Sequence, residues 1–308
     1  RQKLAQTGFT FEYSATFGQA MTAARDEEMT KEYGKAILFD YSYKYFYGDG
    51  YGKEYSILNL AENQYDDQRQ LYLTACLLTF YQQLKVYETK KKELIPFNIE
   101  EPLWVFVGSK VTAVRTENRA QVSDVVDILL FLRRFLADRP ESIGFIDRLL
   151  NGTFQLNDTE GHDLFAGKFN YLVESGVSPD VIYSDIRTSV FNNPVPEAQI
   201  HIDNLKGVEG EIGLRLGEGE YFGVINVGDD AKLLTLCEDA GFNTSDKTFS
   251  ESLFRTIGAE DSTVKLLIGS KKFSEGWNSW RVSTMGLMNV GRSQGSEINQ
   301  LFGRGDRM

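Results

Sequence analysis

The run Phe9-Thr10-Phe11-Glu12-Tyr13 alternates apolar and polar positions in β-prone residue types, which predicts a strand running into Ser14-Ala15-Thr16. Met21 to Tyr33 has the pattern of a short polar helix. Ala36 to Phe46 is aromatic and β-prone, and it meets the turn Gly48-Asp49-Gly50-Tyr51-Gly52 before a second strand-like piece from Glu54 to Leu60. Gln64 to Leu94 keeps a helical pattern and stops at Lys90-Lys91-Lys92 followed by Pro96. Leu103 to Val107 is continuously apolar and ends at Gly108-Ser109, as a strand buried on both faces of a parallel sheet should. An amphipathic helix over Gln121 to Leu136 completes a strand–loop–helix unit. Residues from about Pro140 to Pro196 read as an irregular, partly helical insertion, and Gln199 to Gly217 as a hairpin turned by glycine. Strands are predicted at Tyr221–Val227, Val264–Ile268 and Val282–Val290, and helices at Asp230–Ala240, Ser250–Ile257 and Gly295–Gly303. This alternation predicts an α/β protein with an open, mainly parallel sheet and flanking helices, interrupted by a helical and hairpin insertion at about 140–217.

Composition narrows the class. With 308 residues and 42% apolar content, the chain can bury one full-sized core and a smaller second lobe. The longest apolar stretch, Val125 to Leu132, is broken by Asp127 and falls far short of the roughly 20 residues of a membrane span. Arg1-Gln2-Lys3 opens no secretory signal, so a cytoplasmic protein without a membrane partner is expected. The missing initiator Met, and the stop at Met308 inside a dense motif, lead us to expect a piece of a longer polypeptide. Cys76, Cys237, His162 and His201 are too few and too scattered for a disulfide framework or a metal site.

The net charge of −11 argues against a large nucleic-acid surface over the whole chain. From Lys265 to Met308, however, seven cations (Lys265, Lys271, Lys272, Arg281, Arg292, Arg304 and Arg307) face three acids (Glu275, Glu297 and Asp306), a local excess of about +4. An anionic ligand is therefore expected to meet this last segment.

Within it lies Gln300-Leu301-Phe302-Gly303-Arg304-Gly305-Asp306-Arg307. A helix places Gln300, Arg304 and Arg307 on one face, because they stand four and three residues apart. Paired guanidinium groups suit the charge that spreads over a γ-phosphoryl group in transfer, although an ordinary basic helix end has the same pattern. Upstream, Leu266-Leu267-Ile268-Gly269-Ser270-Lys271-Lys272-Phe273-Ser274-Glu275-Gly276-Trp277-Asn278 joins a buried strand to a polar, basic loop and a Gly-x-Asn element.

The two segments together, about 22 residues apart, resemble motifs V and VI of superfamily-two helicases. Their wording is similar to the restriction subunit of type III restriction enzymes. Ser14-Ala15-Thr16 after a predicted strand resembles motif III, and Trp104 to Lys110 resembles the motif IV strand and loop. The resemblance implies RecA-like lobes, with 1–62 the remainder of the first lobe and the interlobe connection, and 63–308 the second. It implies a motor that uses ATP and Mg²⁺ to move along DNA, double-stranded by expectation, with a methyltransferase or specificity subunit as a partner. Arg304 and Arg307 would meet the phosphates, and Gln300 would position the nucleotide or its attacking water. Gly276, Asn278 and Gly303 would line the nucleotide, and Ser109, Lys110, Ser270 and Lys271 would touch the nucleic-acid backbone. Ser14 and Thr16 would couple the lobes.

The sequence departs from that pattern in three ways. Asn278 stands where the family commonly has an acid, and Asp306 sits between the two arginines, where it can engage Arg307. No Gly-x-x-x-x-Gly-Lys-Ser/Thr loop occurs, and no Asp-Glu pair ends a buried strand, so the Mg²⁺ ligands are expected in a first lobe outside these residues. Without that loop the chain is expected not to turn over ATP by itself. A RecA-like scaffold or nucleic-acid-binding module that has lost catalysis is the alternative from another class, and an RNA-remodelling helicase is the other. The aromatic cluster Tyr41, Tyr43, Tyr45, Phe46, Tyr47 and Tyr51 reads as core and hinge packing ahead of a base-stacking platform.

Overall fold

The computed structural model describes residues 8–14, 17–51, 56–60, 62–108, 115–117, 120–227, 229–248, 251–270 and 279–288. They divide into two compact units, with the boundary between residues 52 and 53.

The smaller unit holds three short helices, α1 (Phe17–Ala24), α2 (Glu27–Gly34) and α3 (Tyr43–Gly48). The single helix predicted over 21–33 is broken because Arg25 adopts a left-handed φ of 51°. Asp26 then caps α2 by accepting the Met29 N–H at 2.9 Å. Phe9–Tyr13, predicted as a strand, is irregular backbone with Phe9 82% and Tyr13 94% exposed. Alternation alone does not make a strand; its N–H and C=O groups need a neighbouring ladder, and none pairs with it among the described residues. Residues 37–42, also read as β-prone, are irregular and lead into α3.

The larger unit begins with the 33-residue helix α4 (Glu62–Leu94), which gives way to a 3₁₀ turn at Ile95–Phe97 containing Pro96. Then follow β1 (Leu103–Gly108), a small hairpin of β2 (Arg115–Glu117) and β3 (Ala120–Val122), and α5 (Asp124–Ala137). Ser123 sets the start of α5, its hydroxyl accepting the Val126 N–H at 3.3 Å. Helices α6 (Arg139–Leu150), α7 (Asn170–Ser175) and α8 (Pro179–Ser189) form the helical insertion. Tyr183 and Arg187 of α8 both donate to the Leu136 carbonyl, one of the orphan acceptors at the end of α5. The chain continues through β4 (Ile200–Leu205), β5 (Glu211–Leu216), β6 (Tyr221–Asn226), α9 (Asp230–Asp239), β7 (Asn243–Lys247), β8 (Leu266–Ser270) and β9 (Val282–Met288).

Seven of these strands form one mixed, mostly parallel sheet in the order β7-β4-β5-β6-β8-β1-β9, flanked by helices. That is the α/β class expected of a RecA-like lobe. The predicted hairpin is present as β4–β5, and it joins the main sheet as part of an antiparallel β4-β5-β6 meander. The polar edge strand β7 escapes an apolar-pattern reading, since Asn243-Thr244-Ser245-Asp246-Lys247 is mostly exposed and, among the described strands, pairs with β4 alone. Where a helix was predicted over 250–257, the described residues form turns. There the buried Glu211 carboxylate accepts from the Ser252 hydroxyl and the Phe254 N–H. The core is aromatic at its centre: Phe80 of α4 stacks on Trp104 at 5.9 Å, and Trp104 lies 4.8 Å from Phe106.

Asp203 in β4 is fully buried. Its carboxylate accepts from Arg215 Nε at 2.6 Å, Ser245 Oγ at 2.6 Å and Tyr221 Oη at 3.1 Å. Burial alone would raise its pKa, but these donors outweigh burial and hold it below the ordinary carboxylate value. A depressed folded pKa contributes stability that is complete above the unfolded value of about 3.9 and is lost as pH falls through the folded value. Asp203→Asn should therefore lower the urea midpoint at pH 7. Its deficit relative to wild type should shrink as pH drops from about 5 towards 2, and a constant deficit would contradict this assignment.

Candidate functional site

β8, β1 and β9 lie side by side, all parallel; β8 and β1 are mostly apolar, while β9 also carries Ser283 and Thr284. Their carboxyl ends are aligned: Gly108 pairs with Ser270 on one side and with Met288 on the other. β6 runs parallel beside β8, with Asn226 opposite Gly269. The segments that begin at residues 109, 271 and 289 therefore follow strands that end at one edge of the sheet. Ligands of open α/β sheets bind outside the carboxyl ends of the strands.

Of the residues singled out in the sequence, Ser270 is the last residue of β8, described through its backbone. Ser14 is exposed in the smaller unit. Thr16, Ser109, Lys110, Lys271, Gly276, Asn278, Gln300, Gly303, Arg304 and Arg307 lie outside the described residues. The structure thus brings together the strand ends that precede Ser109, Lys271 and the segment beginning at residue 289.

Two devices fix those strands. Gly286 of β9 lies opposite Phe106, and a Cβ there would fall 2.3 Å from the Phe106 ring, so only glycine lets the ring cross β9. At the other end of the strands, Arg281, just before β9, is 4% exposed. It donates to the Glu101 backbone carbonyl at 3.0 Å, to the Glu101 carboxylate at 3.1 Å, to the Val264 carbonyl at 2.8 Å, and to the Ile257 carbonyl. Lys265, just before β8, donates to the same Glu101 carboxylate. Burial holds both cations below their ordinary pKa values, with Glu101 opposing that shift.

This corrects the charge reading. Lys265 and Arg281 are not part of a ligand-facing basic surface; both are buried, share one carboxylate, and lie at the strand ends opposite the candidate edge. The local excess that remains rests on Lys271, Lys272, Arg292, Arg304 and Arg307. The clamp was missed in the sequence, yet a signal was there: one cation stands directly before each of two apolar strands. In a protein interior such a cation needs a partner more than it offers one.

The aromatic cluster is also not packed as expected. Tyr41, Tyr45, Tyr47 and Tyr51 are 42%, 52%, 47% and 59% exposed, and Phe46 is half-buried. The Tyr41 hydroxyl donates to Asp49 at 2.6 Å, which ties the turn to the preceding segment.

Among the described residues, no three His, Cys, Asp or Glu side chains converge as metal ligands. Cys237 is buried in α9, and burial pushes its thiol up to about 12, so it is no nucleophile at neutral pH. No helix among the described residues is long and apolar enough to cross a membrane. Comparison with family models, curated proteins and solved structures finds no match for this chain, and its functional assignment rests on its own residues.

Proposed function

We propose that this chain is part of an ATP-dependent DNA translocase of a restriction or defence system, and that the edge formed by β8, β1 and β9 carries its nucleotide and nucleic-acid contacts. The observation that supports this best is the alignment of the three strand ends, because each is followed by one of the motif-bearing segments. The donor set in those segments (guanidinium groups, lysines, hydroxyls, an amide and glycine backbone) fits an anionic ligand and does not fit a bare metal ion. Arg304 would hold the terminal phosphate, Gln300 would orient the nucleotide or a water, and Gly276, Asn278 and Gly303 would allow close approach. Arg307 would contribute less, since Asp306 beside it is a competing partner. ATP supplies the phosphoryl transfer that drives movement. Its Mg²⁺ ligands and phosphate-cradling loop would come from outside these 308 residues.

Ser109, Lys110, Ser270 and Lys271 would track phosphates, which gives binding that tolerates sequence changes and weakens steeply with salt. Changing Lys110 and Lys271 together to alanine should reduce the slope of log affinity against log salt by about 2. Double-stranded DNA and RNA duplexes titrated side by side separate a DNA motor from an RNA-remodelling one. An unchanged slope in the double variant would move the contact surface elsewhere. A second reading, a scaffold that binds nucleic acid without turnover, is favoured by Asp306. It predicts the same salt slope with no stimulated ATPase in the complete protein.

A further inference from the structure

A cleft of about 530 Å³ opens between α4, α5 and α6. Its floor is apolar, made by the buried Leu71, Leu73 and Phe131. Two ion pairs bracket it: Arg69 with Asp127 at 3.0 Å joins α4 to α5, and Arg134 with Glu141, Nε to Oε2 at 2.7 Å, joins α5 to α6. Both of these guanidinium groups are therefore already neutralised.

Three groups on the walls are not. The Gln68 Oε1 acceptor and the Gln70 Nε2 donor are buried and have no hydrogen-bond partner. Arg148 donates only a long bond, at 3.4 Å, to the Thr153 carbonyl, and has no carboxylate partner among the described residues. Buried amide atoms are rarely left unmet, and such atoms on a cleft wall mark where a ligand's polar edge belongs.

We propose that this cleft binds a heteroaromatic ligand of mononucleotide size that carries one anionic group. The flat ring lies on the leucine and phenylalanine floor, a donor–acceptor edge of the ring meets Gln68 and Gln70, and a single phosphate or carboxylate meets Arg148. The volume falls in the range of about 300–1,000 Å³ typical of small-molecule sites. One unpaired guanidinium suits one anionic group better than a triphosphate, which distinguishes this site from the proposed ATP contacts. The inference does not depend on the motor role.

The test is calorimetric titration of the 308-residue chain with AMP, and separately with adenosine and with inorganic phosphate. AMP should bind at least tenfold more tightly than either part. Arg148→Ala should weaken AMP by about tenfold or more, the loss expected for a charge-assisted hydrogen bond, and should leave adenosine binding unchanged. Gln70→Leu should weaken AMP while raising the melting temperature of the ligand-free chain, because it removes a buried unmet donor; a purely structural role for Gln70 would lower that temperature. Arg304→Ala should leave AMP binding unaltered, which separates the cleft from the strand edge. AMP binding no tighter than its parts, or insensitive to Arg148→Ala, would overturn the proposal.

Discussion

On the proposed motor role, replacing Arg304 by alanine in a polypeptide that also supplies a phosphate loop is expected to lower nucleic-acid-stimulated ATP turnover by about 10³–10⁵ while leaving folding and nucleic-acid binding intact. A guanidinium aimed at a transferring phosphoryl group acts mainly in the transition state, where negative charge spreads over several oxygens. The loss corresponds to about 4–7 kcal/mol of barrier, well beyond the about 0–1 kcal/mol of an exposed ion pair. Arg304→Lys should rescue little, because an ammonium lacks the planar fork that grips two oxygens together. Arg307→Ala is the internal comparison and should cost less, since Asp306 beside it competes for its charge. The measurement is steady-state ATPase of the three variants, with thermal melting as a check on folding. An Arg304→Ala protein that keeps most of its turnover would remove the phosphate-sensing role from this segment. One that loses binding and folding along with turnover would make the arginine structural.

The parts of this fold that were legible in the sequence are those where burial acts on both faces of an element. Leu103–Val107, Tyr221–Val227 and Val264–Ile268 read as strands because they lie inside the sheet, covered on either side and nearly continuously apolar, whereas Val282–Val290 reads as one on its β-prone residues although β9 ends the described sheet with Ser283 and Leu287 exposed. The long helix α4 was legible because its pattern persists for many turns and ends at a proline. Elements at the margins were not. Phe9–Tyr13 has the alternation of a strand but forms no strand ladder among the described residues, and β7 has the ladder but not the alternation. Pairing is a property of two segments, and a local pattern carries only one of them.

The candidate site was read in the sequence only as a set of segments, and the structure adds the adjacency of the strands β8, β1 and β9 that precede three of them. β1 and β8 are separated by more than half the chain, and nothing in either run states that Val105 pairs with Leu267. Charge was the least legible feature. Lys265 and Arg281 count as cations in any composition, and only the fold reveals that Glu101 consumes both. The unmet groups of the α4–α5–α6 cleft are hidden for the same reason. Gln68 and Gln70 look like ordinary helix-surface residues until the fold buries their unmet amide atoms, and the exposed Arg148 shows its place only as part of the cleft wall on α6.

The Arg281 clamp yields the largest stability effect expected in the larger unit. Arg281 is almost wholly buried and satisfies three backbone carbonyls, those of Glu101, Val264 and Ile257, together with the Glu101 carboxylate. Arg281→Ala leaves those acceptors without their donor in a place water reaches poorly. Removing one member of a buried charged network costs about 3–5 kcal/mol, which for a unit of this size lowers the melting temperature by roughly 10 °C. Arg281→Lys should recover only part of that loss, since one ammonium cannot span carbonyls on three different segments. Lys265→Met is the informative contrast: it removes the other cation but leaves Arg281 and Glu101 paired, and it relieves the burial of a charge, so its cost should be well below that of Arg281→Ala. Because the clamp joins the starts of β1, β8 and β9, its loss should also loosen the register on which the aligned carboxyl ends depend. Amide exchange in Leu103–Gly108 and Val282–Met288 should then speed up more in Arg281→Ala than in Asp203→Asn, whose network lies in β4, β5, β6 and β7. Equal protection of those strands in both variants, or a melting shift in Arg281→Ala no larger than in Lys265→Met, would show that the clamp does not hold the edge together.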